Sequence, residues 1–261
     1  LVAISPDNPQ AQLTLSEYYK SIGNGDKSFE ALKKAFASEN LDIDTKMQTM
    51  MKLGKAMGSN ETYDARMLEL AKIIAQTHPT EAKAFAMLGD VNYQMRNDST
   101  AAQCYRKALK LDAGKFALWQ QLMLIEGSLL QTDSLLATSN AAIELFPDQP
   151  LVYYYNGIAN TRKKDYEEAI SSFGNAMKIG VVNKNLAAQI YSLMGDDYNS
   201  MKKFQASDSC FELALVFNPN DANALNNYAF YLSLRRVRLN DAEKMSMTAN
   251  EISPSSFNFL D

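Results

Sequence analysis

The sequence is poor in the side chains that most enzyme and metal sites need. Its 261 residues include one histidine, His78, and two cysteines. A Ser–His–Asp or Cys–His arrangement would need a further histidine. His78 precedes Pro79 at the expected end of a helix, which favours a surface turn. Cys104 and Cys210 lie far apart and outside any C-x-x-C pair, as is typical of small, partly buried residues. We therefore expect no catalytic residue, no metal site, no cofactor and no enzymatic activity.

Other absences restrict the fold class and the partners. Only 11 glycines and 7 prolines occur, which disfavours an all-β fold with many tight turns. No run approaches the roughly 18 apolar residues of a membrane span, so we expect no membrane insertion. The 26 basic and 30 acidic residues leave a net charge of −4, which argues against nucleic acid as the main partner. The chain begins at Leu1 rather than methionine, so we expect residues upstream and predict no compartment from this end.

What the sequence does contain is a repeat of about 34 residues. A large residue recurs with spacings of 34, 34, 38, 34 and 34, at Phe85, Trp119, Tyr153, Tyr191, Leu225 and Phe259. A small residue follows four places later at Gly89, Gly157, Gly195 and Ala229. Alanine recurs at Ala108, Ala142, Ala176 and Ala214, and proline at Pro79, Pro147, Pro219 and Pro254. Four registers share one period, which predicts an array of like structural units.

Each period has the pattern of two helices. In one unit, Tyr191, Met194 and Tyr198 occupy one face of a first helix. Gly195 lies beside them, where a second helix must approach closely, and Pro219 ends that second helix. No alternating strand pattern competes. We therefore expect a larger side chain at such a glycine to overpack the contact, at a cost of about 1–3 kcal/mol.

Three details of the pattern give further predictions. Capping-box spacing predicts helix starts at three pairs: Thr100 with Gln103, Asp165 with Glu168, and Asn240 with Glu243. The single spacing of 38 implies a four-residue insertion around Val181–Lys184, which we expect in the turn between repeats. The adjacent acids Asp196 and Asp197 are predicted to lie on a solvated helix face.

The same residues resemble the tetratricopeptide repeat (TPR), whose signature is W-x2-L-G-x2-Y, then A-x3-F, then P. The best copies are Phe85-x2-Leu88-Gly89, Tyr153-x2-Asn156-Gly157 and Tyr191-x2-Met194-Gly195-x2-Tyr198, whereas Met123 replaces the glycine after Trp119-x2-Leu122. The resemblance implies an all-α fold, a right-handed superhelical solenoid of antiparallel helix pairs. It also implies that the first helices line a concave groove for a protein or peptide.

We predict a single array over residues 1–261 with about seven repeats. Their expected bounds are 9–42, 43–81, 82–115, 116–149, 150–187, 188–221 and 222–255, with partial repeats at 1–8 and 256–261. Pro6 occupies the last position of a preceding unit, and Phe259 the first large position of a following one. We therefore expect uncapped ends and a longer native array.

Candidate partner-binding residues follow from the helix face that packing leaves over. In each first helix the second, fifth, ninth and twelfth residues lie on one side. From this stripe we select Asp90, Tyr93, Gln120, Leu124, Tyr154, Ile158, Gln189, Asn226 and Phe230. Apolar and tyrosine side chains suit a protein ligand, and carboxamides suit its backbone. The Lys and Asn pattern of carboxylate-gripping TPR proteins is not met at these positions.

Three functional hypotheses stay open. The leading one is a non-enzymatic scaffold that binds a protein or peptide in its groove. The alternatives are a substrate-presenting arm of a larger enzyme, and a module that self-associates through uncapped ends. Arg235, Arg236 and Arg238 form a solvated loop or contact an acidic partner. The sequence also resembles long TPR proteins of Gram-negative cell envelopes in its Asn226–Asn227 stretch and at 257–261, which implies a periplasmic or lipoprotein-anchored location.

Overall fold

The computed structural model describes residues 8–56 and 61–254, and in these ranges every regular element is an α-helix. Their bounds are α1 (Pro9–Ser21), α2 (Gly25–Phe36), α3 (Ile43–Ala56), α4 (Glu61–Thr77), α5 (Ala82–Gln94), α6 (Asp98–Leu111), α7 (Phe116–Ser128), α8 (Thr132–Leu145), α9 (Pro150–Lys163), α10 (Tyr166–Ile179), α11 (Lys184–Ser200), α12 (Phe204–Phe217), α13 (Ala222–Arg235) and α14 (Leu239–Ile252). The all-α prediction is confirmed. Pro6 and Phe259 lie outside the described residues. None of the described helices is both long enough and apolar enough to cross a membrane.

Among the described helices, five consecutive pairs pack as hairpins whose turns have two or three residues. The most extensive contacts are between α11 and α12, α5 and α6, α9 and α10, α1 and α2, and α13 and α14. The predicted glycine contacts are confirmed. A Cβ atom on Gly157 would lie 2.6 Å from Phe173 Cδ1, and one on Gly195 2.7 Å from Phe211 Cε2. Real Cβ atoms do not come this close, so each glycine sets the distance between its two helices.

The described residues form two compact units, which are divided between Ile125 and Glu126. The core of the first unit centres on fully buried Phe36, Leu70 and Ile74. It also contains a fully buried lysine, Lys46, which sequence reasoning did not identify. Lys46 Nζ donates hydrogen bonds of 2.9 Å to the Ser38 carbonyl and to Thr77 Oγ1. Burial lowers the pKa of Lys46 to about 8, although the charges of Asp42 and Glu39 act in the opposite direction.

The second unit has an aromatic core and a buried network of polar side chains around Asn156. The rings of Phe211 and Tyr228 stack with centroids 5.3 Å apart. Asn156 Nδ2 donates to Ser139 Oγ at 3.1 Å, and Asn156 Oδ1 accepts from Ser172 Oγ at 2.8 Å and from Asn160 Nδ2 at 2.9 Å. The amide thus links three helices through bonds that are themselves buried.

The predicted helix starts at Thr100 and Asn240 are wrong. Helix α6 begins at Asp98 and α14 at Leu239, so both residues lie inside helices, and Asp165 precedes α10 without a capping hydrogen bond. The turn before α6 has its reversal at Arg96, whose φ is 61°. Such a left-handed residue reverses the chain in very few residues, so the helix starts before the capping box can form.

The expected position of the four-residue insertion is also wrong. The turn before α11 spans residues 180–183, the same length as the turns at 146–149 and 218–221. Helix α11 instead has 17 residues, against 14 in α9 and α13. Asn183 caps the earlier start by accepting from the backbone N–H groups of Asn185 and Leu186. The insertion is therefore an extra helical turn at the N-terminus of α11.

Candidate functional site

A groove in the second unit is formed by the first helices of three successive hairpins. Helix α11 lies between α9 and α13 and contacts both. The groove has a volume of about 420 Å³ and is lined by Tyr154, Ile158, Thr161 and Arg162 of α9, by Gln189, Ser192, Leu193 and Asp196 of α11, and by Asp221, Asn223 and Asn227 at the start of α13. No described side chain of the protein fills this space, so it can receive a ligand.

Helix α9 contributes an apolar pair to the groove. Tyr154 and Ile158 lie one helical turn apart, partly buried against the cluster around Phe173. The Tyr154 ring lies 5.2 Å from the Tyr155 ring and 6.5 Å from that of Phe173. Burial raises the pKa of Tyr154 above its usual value, so its hydroxyl is neutral at physiological pH. These contacts hold the aromatic surface in one orientation facing the groove.

The rest of the groove, on α11 and at the start of α13, is rich in carboxamides. Gln189 and Asn223 are exposed, and each offers both a donor and an acceptor to the backbone of an extended ligand. Asp221 is already engaged, because its carboxylate accepts hydrogen bonds of 3.1 Å from the backbone N–H groups of Asn223 and Ala224. This cap positions the first turn of α13 along the groove.

Two adjacent carboxyl groups on α11 lie at and behind the floor of the groove. Burial raises the pKa of Asp196 to about 6, although hydrogen bonds from Tyr231 and Asn227 act in the opposite direction. Burial and the neighbouring Asp196 carboxylate raise the pKa of Asp197 to about 7, against a hydrogen bond from Thr161. Neither group forms an ion pair with a described lysine or arginine. In the described residues, no three histidine, cysteine or carboxylate side chains meet as a metal site requires.

The prediction that Asp196 and Asp197 form a solvated helix face is wrong. Asp197 is 1% exposed. Helix α11 is contacted by α9, α10, α12 and α13, so little of its circumference reaches solvent. The sequence pattern of one helix does not show how many neighbours surround it, and this is why the buried pair was missed.

The structure places five of the predicted site residues in the second unit. Tyr154, Ile158 and Gln189 line the groove described above. Asn226 and Phe230 line a separate depression of about 270 Å³ between α13 and α14, where Phe230 is 51% exposed. The predicted stripe therefore divides between two surfaces, and partner contact at any of these residues stays a prediction.

The other four predicted residues belong to the first unit. Asp90 and Tyr93 lie on α5, and Gln120 and Leu124 on α7. The Asp90 carboxylate accepts a 2.6 Å hydrogen bond from the hydroxyl of Tyr105, the residue that packs on Gly89. Gln120 and Leu124 are exposed. Asp90 thus has a partner within its own hairpin, whereas Gln120 and Leu124 are accessible to a ligand.

Several groove residues were not among the predicted contacts. Thr161, Ser192, Asp196 and Asn223 belong to the same sequence stripe, and their positions could have indicated them. Arg162, Leu193 and Asn227 lie one residue away from the stripe. They reach the groove because three helices converge there, which widens the face that each contributes.

The arginines at the C-terminal end of α13 and in the turn after it are largely paired within the chain. The Arg235 guanidinium binds the Asp208 carboxylate. Arg238 binds Glu212 at 2.7 Å and Asp241 at 3.0 Å. An acidic partner would have to displace these intrachain carboxylates, which disfavours the predicted acidic-partner contact at Arg235 and Arg238.

Comparison with known proteins supports the repeat interpretation. The family model described as "Tetratricopeptide repeat" matches residues 82–115. No curated protein sequence matches the chain. Among solved structures, MamA shares 19% identity and a TM-score of 0.56, over 64% of this chain and 95% of its own.

Two further solved structures are similar over more of the chain. YrrB, described as a TPR protein with an unusual peptide-binding site, shares 16% identity over 74% of this chain and 97% of its own, with a TM-score of 0.56. PilF of Pseudomonas aeruginosa shares 16% identity over 83% of this chain and 94% of its own, with a TM-score of 0.61. At these identities the likeness establishes the fold. Together with the tetratricopeptide repeat matched at 82–115 and the glycine-spaced helix hairpins, it shows that the chain has the fold of tetratricopeptide-repeat proteins.

Proposed function

We propose that this protein is a non-enzymatic interaction scaffold that holds an extended segment of a partner protein in the groove between α9, α11 and α13. The observation that carries the proposal is the composition of that groove. It combines an immobilised apolar wall at Tyr154 and Ile158 with free carboxamides at Gln189 and Asn223. An extended peptide needs both features, because its side chains require apolar contact and its backbone requires donors and acceptors.

The size of the groove also fits a short segment better than a whole folded surface. A volume of about 420 Å³ is in the range of about 300–1,000 Å³ that holds small ligands and short peptide segments. YrrB, which has the same fold, is described as having a peptide-binding site. A scaffold of this kind needs no nucleophile or metal, in keeping with the scarcity of histidine and cysteine.

Site-specific photo-crosslinking tests the proposal. A photoreactive amino acid is introduced at Gln189 or Asn223, both exposed in the groove, or at Asn175, which is exposed on α10 outside it. We expect both groove positions, but not Asn175, to crosslink to the same short segment of one partner, identified by mass spectrometry. Blocking variants Gln189→Arg and Asn223→Arg should then abolish its capture. Undiminished capture by both blocking variants would refute the groove as the binding site.

A further inference from the structure

The groove contains a carboxylate that forms no ion pair with a described lysine or arginine. Asp196 is half-buried on α11 and lines the groove. Its described hydrogen-bond donors are neutral: the Tyr231 hydroxyl, and Asn227 Nδ2 at 3.3 and 3.4 Å from its two oxygens. Arg162 lines the rim of the groove but forms no ion pair with Asp196. A partly buried carboxylate that lacks a cationic partner lowers the stability of the fold.

A second carboxylate behind Asp196 increases the negative charge at this point. Asp197 is 1% exposed, and its Oδ1 atom has no hydrogen-bond partner among the described residues. Its Oδ2 atom accepts a 2.8 Å hydrogen bond from Thr161, which itself lines the groove. The Asp197 carboxyl therefore lies one hydrogen bond behind the groove wall. A cation in the groove would offset the cost of this unsatisfied buried oxygen.

The surroundings of Asp196 suit a long cationic side chain in particular. The aromatic and aliphatic wall of Tyr154 and Ile158 lies across the same groove. Lysine and arginine have methylene stems that pack on such surfaces while the charged end reaches a carboxylate. An aromatic face adds a favourable interaction with the cation. A small hydrated metal ion would use neither feature.

Building on the proposed function, we propose that the segment held in the groove carries a lysine or arginine whose charged end binds Asp196 and whose stem packs on Tyr154 and Ile158. The partner is thus a protein segment with one basic side chain at a fixed position, flanked by backbone bonded to Gln189 and Asn223. Asp197 strengthens the attraction from behind, and binding relieves the unpaired charge of the free protein. A selected basic residue, rather than overall positive charge, sets the specificity.

Selection of peptides from a random phage-displayed library by the whole chain tests this inference. We expect the selected sequences to share lysine or arginine at one position. A synthetic selected peptide should bind Asp196→Asn at least about tenfold more weakly than the unmodified chain, as expected when a partly buried charge pair loses one member. Glu144→Gln removes an equal charge from an exposed site on α8 and should leave the affinity unchanged.

A double-mutant cycle separates the charge contact from any change in folding. The basic residue of the peptide is replaced by glutamine, and both peptides are titrated against the unmodified chain and Asp196→Asn. We expect the peptide change to weaken binding about tenfold on the unmodified chain and hardly at all on the variant. Groove-bound peptides without a preferred basic residue, or a cycle without coupling, would overturn this inference and leave the proposed function intact. Peptides that bind Gln189→Arg and Asn223→Arg as well as the unmodified chain would overturn both.

Discussion

Replacement of Gly157 by alanine tests the packing principle of the whole array. The added Cβ would lie 2.6 Å from Phe173 Cδ1 and 2.7 Å from Cζ. Relief requires the ring to move by about 1 Å or more to reach ordinary contact distance. Phe173 is fully buried and packs with Ala169, Ala176 and Ile190, so it has no space to move into. Overpacking of this kind costs about 1–3 kcal/mol, and the higher helix propensity of alanine returns about 1 kcal/mol.

Gly174 is the matched control, because it lies inside α10 and a Cβ there meets nothing within 4 Å. We expect Gly157→Ala to lower the unfolding free energy by up to about 2 kcal/mol and Gly174→Ala to raise it by about 0.5–1 kcal/mol. Urea titrations followed by circular dichroism measure both. Shortening the ring in Gly157→Ala/Phe173→Leu should recover part of the loss relative to the sum of the single changes. A Gly157→Ala protein as stable as Gly174→Ala would refute close approach at this glycine.

Three further substitutions probe buried polar groups, each by urea midpoints. Asn156→Ala leaves the hydroxyls and amide of its buried partners unsatisfied and should lower the unfolding free energy by about 1–3 kcal/mol. The control Asn175→Ala, at an exposed position, should be nearly neutral. Equal effects of the two changes would exclude a stabilising network around Asn156. The pKa of Asp197 rises from 3.8 to about 7 on folding, so the unfolding free energy should fall as pH rises through this interval. Asp197→Asn should reduce this fall and should be more stable than the unmodified protein above pH 7. A variant that is less stable than the unmodified protein above pH 7 would contradict this expectation. Folding lowers the pKa of Lys46 from 10.5 to about 8, so its contribution to stability should increase with pH between these values, and Lys46→Met should remove that increase. An unchanged pH profile in Lys46→Met would show that the lysine is charged and solvated.

Much of the architecture could be predicted from the sequence because it depends on local, periodic properties. A large residue every 34 positions and a small one four places later already indicate paired helices with close contacts. Gly89, Gly157 and Gly195 each face the aromatic ring of the next helix, as their spacing implied. The side-chain period of a helix also placed Tyr154, Ile158 and Gln189 on one groove.

Turn geometry and the extra turn of α11 were harder to predict. A capping-box pattern indicates a residue at which a helix can start. The start of α6 instead follows from the chain direction set by the left-handed backbone conformation of Arg96. Asn183 likewise caps an earlier start of α11, so the four extra residues join the helix and not the turn. These choices depend on small differences between local alternatives, and packing of the flanking helices selects among them.

The sequence alone determined that this protein is an array of helical hairpins, because one period recurs in four independent kinds of residue. Only the tertiary structure decided that Asp197 and Lys46 are buried, that Asp196 forms no ion pair with a described cation, and that Asn227 and Leu193 join the groove. The physical reason is that burial and electrostatic surroundings depend on every neighbouring helix at once. A helical period records which side of one helix is apolar, and it contains no information on how many other helices enclose it.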